Sequence, residues 1–262
     1  MGEGDRPDSE AAERFGGIAR LVGPEGLRRL RAAHVCVVGI GGVGSWTVEA
    51  LARAGIGALT LIDLDEICVT NINRQIHALD GTVGRAKVDV MAERVQRISP
   101  ECRVMPVTEF LTEANAARLL APGFSFVVDA IDSVANKCRL LAACRERNLP
   151  VIACGAAGGR LDATAVRVAD LADVTHDRLL AEVRKRLRKE PGFPALGNKL
   201  GMPCVFSPET PIRPEPSACA ADGQESEATP RLNCEWGYGS ATFVTGTFGF
   251  VAAGWVVRKL AA

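Results

Sequence analysis

Apolar residues along the chain fall into short β-branched runs separated by stretches of helical spacing. The first run, His34 to Gly39 (HVCVVG), is followed from Ser45 to Ala54 by helix-forming residues, which predicts a strand, a turn and a helix. Ala58 to Asp63 (ALTLID) reads as a second buried strand, and from Lys87 to Ser99 the positions Val88, Met91, Val95 and Ile98 share one helical stripe. Arg103 to Val107 predicts a third strand, Ser125 to Ile131 (SFVVDAI) a fourth, Val134 to Arg147 a helix and Pro150 to Cys154 a fifth strand. Strands and helices that alternate in this way imply an α/β fold with a mostly parallel sheet and helices on both faces.

After Gly155 the pattern changes. Ala163 to Val168 alternates as a strand with one exposed face would, and His176 to Lys189 is a basic helix. Lys189 to Pro230 holds most of the prolines and little periodicity, so it reads as a long irregular crossover. From Trp236 to Val257 no residue is charged, a run of 22 that is long enough to cross a bilayer. It nevertheless contains five Gly and four Thr or Ser, and opens on the turn-like Gly237-Tyr238-Gly239. A helix buried in the protein or at a subunit interface is therefore expected, with membrane contact as the lesser reading. Residues 1–13 are polar and expected to be flexible, which leaves a single domain over 14–262, with a core at 34–155 and an elaboration at 156–262.

Composition narrows the partners. Lys+Arg and Asp+Glu are equal at 31 each, so any nucleic-acid contact must be local. The nine cysteines are an odd number with no C-x-x-C pair, which points to reduced thiols in a cytoplasmic protein and to no structural zinc. The N-terminus has neither an apolar signal core nor an Arg-rich amphipathic pattern, so no export or organelle address is read there.

Chemistry concentrates after the first, second and fourth strands. Gly39-Ile40-Gly41-Gly42-Val43-Gly44 is a G-x-G-x-x-G between strand and helix, where glycines let the backbone approach a phosphate and the helix N-terminus offers free N–H groups. Asp63 ends the next strand, where a carboxylate can accept ribose hydroxyls, and together these features predict a Rossmann-like nucleotide site. A dinucleotide needs no cations beyond such a turn, whereas a triphosphate does. Arg74 and Lys87, with Asn71 as an uncharged donor, lie where the chain leaves the second strand. Asp132, just past the fourth strand, is placed to hold magnesium on the phosphates, while Asp129 lies within the apolar strand and is expected to be buried and hydrogen-bonded.

The segments VVGIGGVGS, LIDLDEICVTNINRQIHA, VGRAK and VVDAIDSVANK together resemble the ThiF and MoeB-type adenylating superfamily to which ubiquitin-activating enzymes belong. RFGGIARLVG, NRQIHAL, KLGMPCVFSPE and GYGSATFVTGTFGFVAAGW resemble one branch more closely, the tRNA threonylcarbamoyladenosine dehydratases. The resemblance spans about residues 14 to 257. It implies a ThiF/MoeB-type fold and ATP-dependent activation of the threonyl carboxylate of threonylcarbamoyladenosine in tRNA, followed by intramolecular ring closure with net loss of water. It also implies Gly41 and Gly42 at the phosphates, Asp63 at the ribose, Asn71, Arg74 and Lys87 on the triphosphate, and Asp132 on the magnesium. Arg14 matches a superfamily arginine that enters the ATP site of the other subunit, which implies a homodimer. The zinc-binding cysteine pairs of many superfamily members are missing, as in this branch.

Cys234, in RLNCEWGYG, is a candidate thiol for acyl or sulfur transfer, which would bring in a sulfur-transfer protein partner, although ring closure does not require it. The basic helix at Arg184, Lys185, Arg186, Arg188 and Lys189 could track tRNA phosphates or be a solvated face. His77 falls near the nucleotide, with packing as its expected role. Three other readings compete. Adenylation of a ubiquitin-like sulfur carrier is opposed by the missing zinc cysteines, and a nicotinamide dehydrogenase would leave Arg74 and Lys87 without a task. An inactive scaffold would be expected to have lost one of Asp63, Arg74, Lys87 or Asp132.

Overall fold

The computed structural model describes residues 13–121, 123–213 and 238–262. Its sheet is built outward from β1 (His34–Val38), with β2 (Ala58–Ile62) and β3 (Arg103–Val107) on one side and β4 (Phe126–Asp129) and β5 (Val151–Cys154) on the other. β6 (Arg167–Asp170) and β7 (Pro203–Phe206) complete the order β3-β2-β1-β4-β5-β7-β6, in which every pairing is parallel except the antiparallel edge β6. Val37 sits between Leu61 and Val128 in the register, and β2 and β4 are buried at every position. That is why these strands read as continuous apolar runs: neither face meets water.

α1 (Gly16–Ala32), α2 (Gly44–Arg53), α3 (Lys87–Ile98) and α7 (Thr242–Ala261) share one core, in which Leu30, Leu51, Met91 and Phe248 meet Val35, Leu59 and Val128 of the sheet. α4 (Glu113–Leu119) and α5 (Val134–Glu146) build a second core with Cys36 and Val127, and α5 and α6 (Arg178–Leu187) a third with Ala153 and Cys204. The chain first winds outward from β1 to β3 and then returns to place β4 on β1's other side. The strand order therefore reverses between β1 and β4, and a crevice opens beyond their C-terminal ends.

The second half departs from the sequence pattern in three places. Ala163–Ala165 is a 3₁₀ turn, because the Asp162 carboxylate accepts the Thr164 N–H (2.8 Å) and curls the backbone, and the strand begins only at Arg167. The basic helix starts at Arg178: Asp177 caps it by accepting the Leu180 N–H (3.0 Å), and His176 has φ +57°. β7 lies inside the stretch read as an irregular crossover, with Pro203 at its first position, where no ladder hydrogen bond is lost. α1 and α4 were not legible; α1 kinks at Gly23 (φ 77°) before Pro24, which breaks its helical period.

α7 packs on α2 through small residues. A Cβ at Gly249 would lie 2.7 Å from the Val43 carbonyl oxygen and 2.8 Å from Trp46 Cβ, so only glycine permits this approach. Phe243 and Phe250 of the same helix are exposed. Among the described residues no helix is long and apolar enough to cross a membrane.

Candidate active site

The glycine turn after β1 divides into two kinds of glycine. Gly39 has φ +90° and a Cβ there would lie 2.7 Å from the Ala130 carbonyl oxygen, while a Cβ on Gly44 would lie 1.8 Å from that of Gly39. These two glycines let turn, helix and strand pack. Gly41 and Gly42 are less confined: the nearest atom to a Cβ on Gly41 is Gln75 Nε2 at 3.9 Å, while one on Gly42 would press on Thr245 Cγ2 at 3.3 Å and on the Arg74 side chain at 3.5 Å.

Between them, Ile40 is clamped from both sides. Its N–H donates to Asp63 Oδ2 (2.6 Å), and its carbonyl oxygen accepts from His77 Nε2 (2.9 Å). A carbonyl cannot donate, so the His77 proton sits on Nε2. Burial is the largest influence on His77 and lowers its pKa from 6.5 to about 4, which keeps it neutral at pH 7. Its folded-state pKa lies below the unfolded one, so its contribution to stability is complete above about pH 6.5 and is lost as pH falls towards 4. Unfolding titrations should show a loss of up to about 3 kcal/mol across that window, and His77→Gln should flatten it. Equal slopes in both proteins would contradict this assignment. Burial likewise raises the Asp63 carboxyl above its ordinary range, against the opposing charge of Lys87 and the N–H groups of Asp65 and Ile40.

The cations are mounted on the next segment. Asn71 ends a 3₁₀ turn (Val69–Asn71), is buried, and accepts the Cys68 N–H through Oδ1 (3.1 Å), so its oxygen is structural and its amide nitrogen is the available donor. Arg74 is fixed by its backbone: its carbonyl oxygen accepts from Trp46 Nε1 (3.0 Å) on α2 and from Thr245 Oγ1 (3.3 Å) on α7. Its guanidinium donates to the Thr70 carbonyl (2.7 Å) and Asn73 Oδ1 (3.0 Å). Lys87 opens α3, is buried, and donates to Asp65 Oδ2 (2.7 Å). Across the crevice, Asp129 is buried in β4, where its Oδ1 pairs with Lys137 (2.9 Å) and accepts the Ile131 N–H (3.0 Å). This pair braces the turn that carries Asp132, whose carboxylate is exposed and has no partner among the described residues. Glycine turn, Asp63, Asn71, Arg74, Lys87 and Asp132 thus all stand at the sheet edge where β1 and β4 part.

Residues 17–261 match the model of the ThiF family. The chain belongs to the ThiF family. This ThiF-family chain is 50% identical, over 95% of its length, to the tRNA threonylcarbamoyladenosine dehydratase of Escherichia coli K12, of which it covers 94%. It is 37% identical to the dehydratase of Bacillus subtilis 168 over 91% of each chain. The crystal structure of the E. coli dehydratase with ATP superimposes with a TM-score of 0.84, at 48% identity, over 95% of this chain and 94% of that one. The molybdopterin-synthase adenylyltransferase of E. coli matches at 37% identity over 49% of this chain and 51% of its own.

Within the ThiF-family chain, Arg14 does not join the site. It donates to the Ile98 carbonyl (3.1 Å) at the far end of α3, about 16 Å along the helix from Lys87. Cys234 lies outside the described residues. Of the other cysteines, Cys102, Cys138, Cys144 and Cys154 have thiols pushed by burial to about 11 or 12, which leaves them protonated and poor nucleophiles. No group of three or more His, Cys, Asp or Glu that could cage a metal occurs among the described residues. Magnesium bound mainly through nucleotide phosphates needs few protein carboxylates, and the exposed Asp132 could supply one. Lys137 and the Trp46 and Thr245 anchors had no sequence signal, because each depends on a contact made only by the fold.

Proposed function

We infer that this ThiF-family chain is an ATP-dependent tRNA threonylcarbamoyladenosine dehydratase: it adenylates the threonyl carboxylate of the modified nucleoside and closes it to the cyclic form. The observation that carries this reading is 50% identity to the E. coli dehydratase over 95% of the chain, with every expected phosphate-side residue of the sequence at one sheet edge. Gly41 and Gly42 offer their backbone to the phosphates, and Asp63, held by two N–H donors, accepts the ribose hydroxyls. Arg74 exchanges its loop carbonyl for phosphate oxygens, and Lys87 shares its ammonium between Asp65 and the triphosphate. Magnesium held by Asp132, when bound, would offset charge on the phosphates.

The substrate carboxylate, with a reference pKa near 4, is ionised at neutral pH, so its attack on the α-phosphorus needs no general base. That fits a site whose nearest imidazole is committed to Ile40. The protein aligns attacking and leaving oxygens and sets cations where pyrophosphate departs. The neighbouring carbamoyl group then attacks the acyl adenylate, expels AMP and closes the ring. An effective molarity of about 10⁵ M or more lets this step outrun hydrolysis, so no protein thiol is required. Arg14, remote from its own chain's site, would complete the site of a second subunit in a homodimer, and a tRNA substrate places the enzyme in the cytoplasm. Incubation with ATP and threonylcarbamoyladenosine-bearing tRNA should release AMP and pyrophosphate and lower the nucleoside mass by one water. ATP consumption with an unchanged nucleoside mass would overturn the reading in favour of another carboxylate.

A further inference from the structure

A second cavity, of about 380 Å³, lies at the same sheet edge, beyond β5 and β7. Arg178, Arg184, Arg213, Thr175, Thr210 and Tyr238 are among its walls. Arg178 and Arg213 are exposed and have no partner among the described residues, whereas Arg184 is spent on the carbonyls of Leu171 (3.0 Å) and Val174 (2.9 Å). Among the described residues the one carboxylate in the wall, Asp177, is engaged inward. It accepts the Leu180 N–H (3.0 Å) and the Ala156 N–H (2.9 Å) and lies 4.0 Å from buried Arg160. Arg160 also donates to the carbonyls of His176 (3.0 Å) and Ser207 (3.3 Å), so the floor of the cavity is braced from the interior. The cavity is therefore a built concavity whose Arg178 and Arg213 charges are uncommitted among the described residues.

Its position relates it to the nucleotide. Gly159 donates to the Gly239 carbonyl (2.7 Å), and Asn73 Nδ2 donates to the Ser240 carbonyl (2.8 Å), next to Arg74. Thr242 and Thr245 then bond the carbonyls of Asn73 and Arg74. One strap, Tyr238 to Thr245, thus runs from the cavity wall to the cations of the nucleotide site, and Tyr238 and Ser240 are no more than about 7 Å apart along the chain. A ligand held in this cavity would therefore lie one strap away from Arg74.

Resting on the tRNA reading above, we propose that this cavity holds a backbone phosphodiester of the tRNA beside the modified adenosine, gripped by Arg178 and Arg213. The basic end of α6, which the sequence suggested for this task, is placed differently. Lys185 and Arg186 pair with Glu182 (3.9 and 3.3 Å), and Arg188 donates to the Asn198 carbonyl (3.3 Å) at the opposite end of the helix.

The test is titration of the full-length protein and of Arg178→Ala, Arg213→Ala, the double Ala variant and the double Lys variant with threonylcarbamoyladenosine-bearing tRNA between 50 and 200 mM salt, roughly the range over which phosphate contacts dominate. The double Ala variant should bind tRNA about tenfold or more weakly. Its plot of log affinity against log salt should be flatter by about one to two. ATP affinity and melting temperature should match the wild type, and the double Lys variant should recover most of the affinity, since a phosphate accepts a point charge. Wild-type tRNA affinity and salt slope in the double Ala variant would overturn the proposal, as would an equal loss of ATP affinity, which would assign the cavity to the nucleotide. A wild-type protein that binds tRNA with the expected slope but leaves the nucleoside unchanged would refute the dehydratase reading and not the cavity.

Discussion

Lys87→Ala should lower turnover by about 10²- to 10³-fold with little change in folding, because a preorganised cation facing the departing phosphates is worth that much to the transition state. The structural cost is small. Lys87 pairs at 2.7 Å with Asp65, whose side chain is 51% exposed, so the aspartate left behind is solvated and not stranded as a buried charge. A second consequence follows from Asp63, whose carboxyl is already raised by burial and is lowered by the Lys87 charge. Removing that charge moves Asp63 further towards the neutral form and should weaken the ribose contact proposed for it. Arg74→Ala should behave alike for a different reason: the contacts to Trp46 and Thr245 are made by the Arg74 carbonyl, which alanine keeps. Arg74→Lys should not restore activity, since an ammonium cannot reproduce the forked contact. Pyrophosphate release and melting temperature measured on all three variants check this, and normal turnover in Lys87→Ala and Arg74→Ala would refute the triphosphate assignment.

What was legible in the sequence is what depends on near neighbours. The strands β1, β2 and β4 announce themselves because both faces are buried, and Asp129 and Asp132 are told apart by one turn of chain between an apolar run and its exposed end. Chemistry fixed by spacing, such as the glycine turn and Asp63, was equally accessible. The remainder rests on contacts between distant segments. Lys137 pairs with Asp129 only because α5 folds back on β4, and nothing local marks it. β7 is hidden among prolines because its apolarity serves a sheet already formed by β5. Arg178 and Arg213 share a cavity through the Arg160 brace, which joins loops after β5 and β7 that the sequence keeps far apart. Asn71 shows the intermediate case: its position was readable, but the turn it caps with its own oxygen was not.

Gly44→Ala and Gly41→Ala should part in a way that separates packing from binding. An alanine at 44 places Cβ 1.8 Å from the Gly39 carbonyl oxygen, a backbone atom in a turn clamped by Asp63 and His77. No side-chain rotation relieves such a contact. The turn must open, at about 3 kcal/mol or more, and ATP binding should be lost with it. At 41 the backbone φ is not in the left-handed region and the nearest atom is 3.9 Å away, so alanine is accommodated and the melting temperature should hold. The same open space is what a phosphate would fill, and a methyl there blocks its approach to the N–H groups. Gly41→Ala should therefore weaken ATP binding by about tenfold or more in a fully folded protein, since a lost charge-assisted hydrogen bond is worth about 1.5 kcal/mol or more. Calorimetric titration with ATP beside thermal unfolding distinguishes the two effects. Unchanged ATP affinity in Gly41→Ala would mean that the triphosphate does not lie on this turn, and the roles assigned to Arg74 and Lys87 would fall with it.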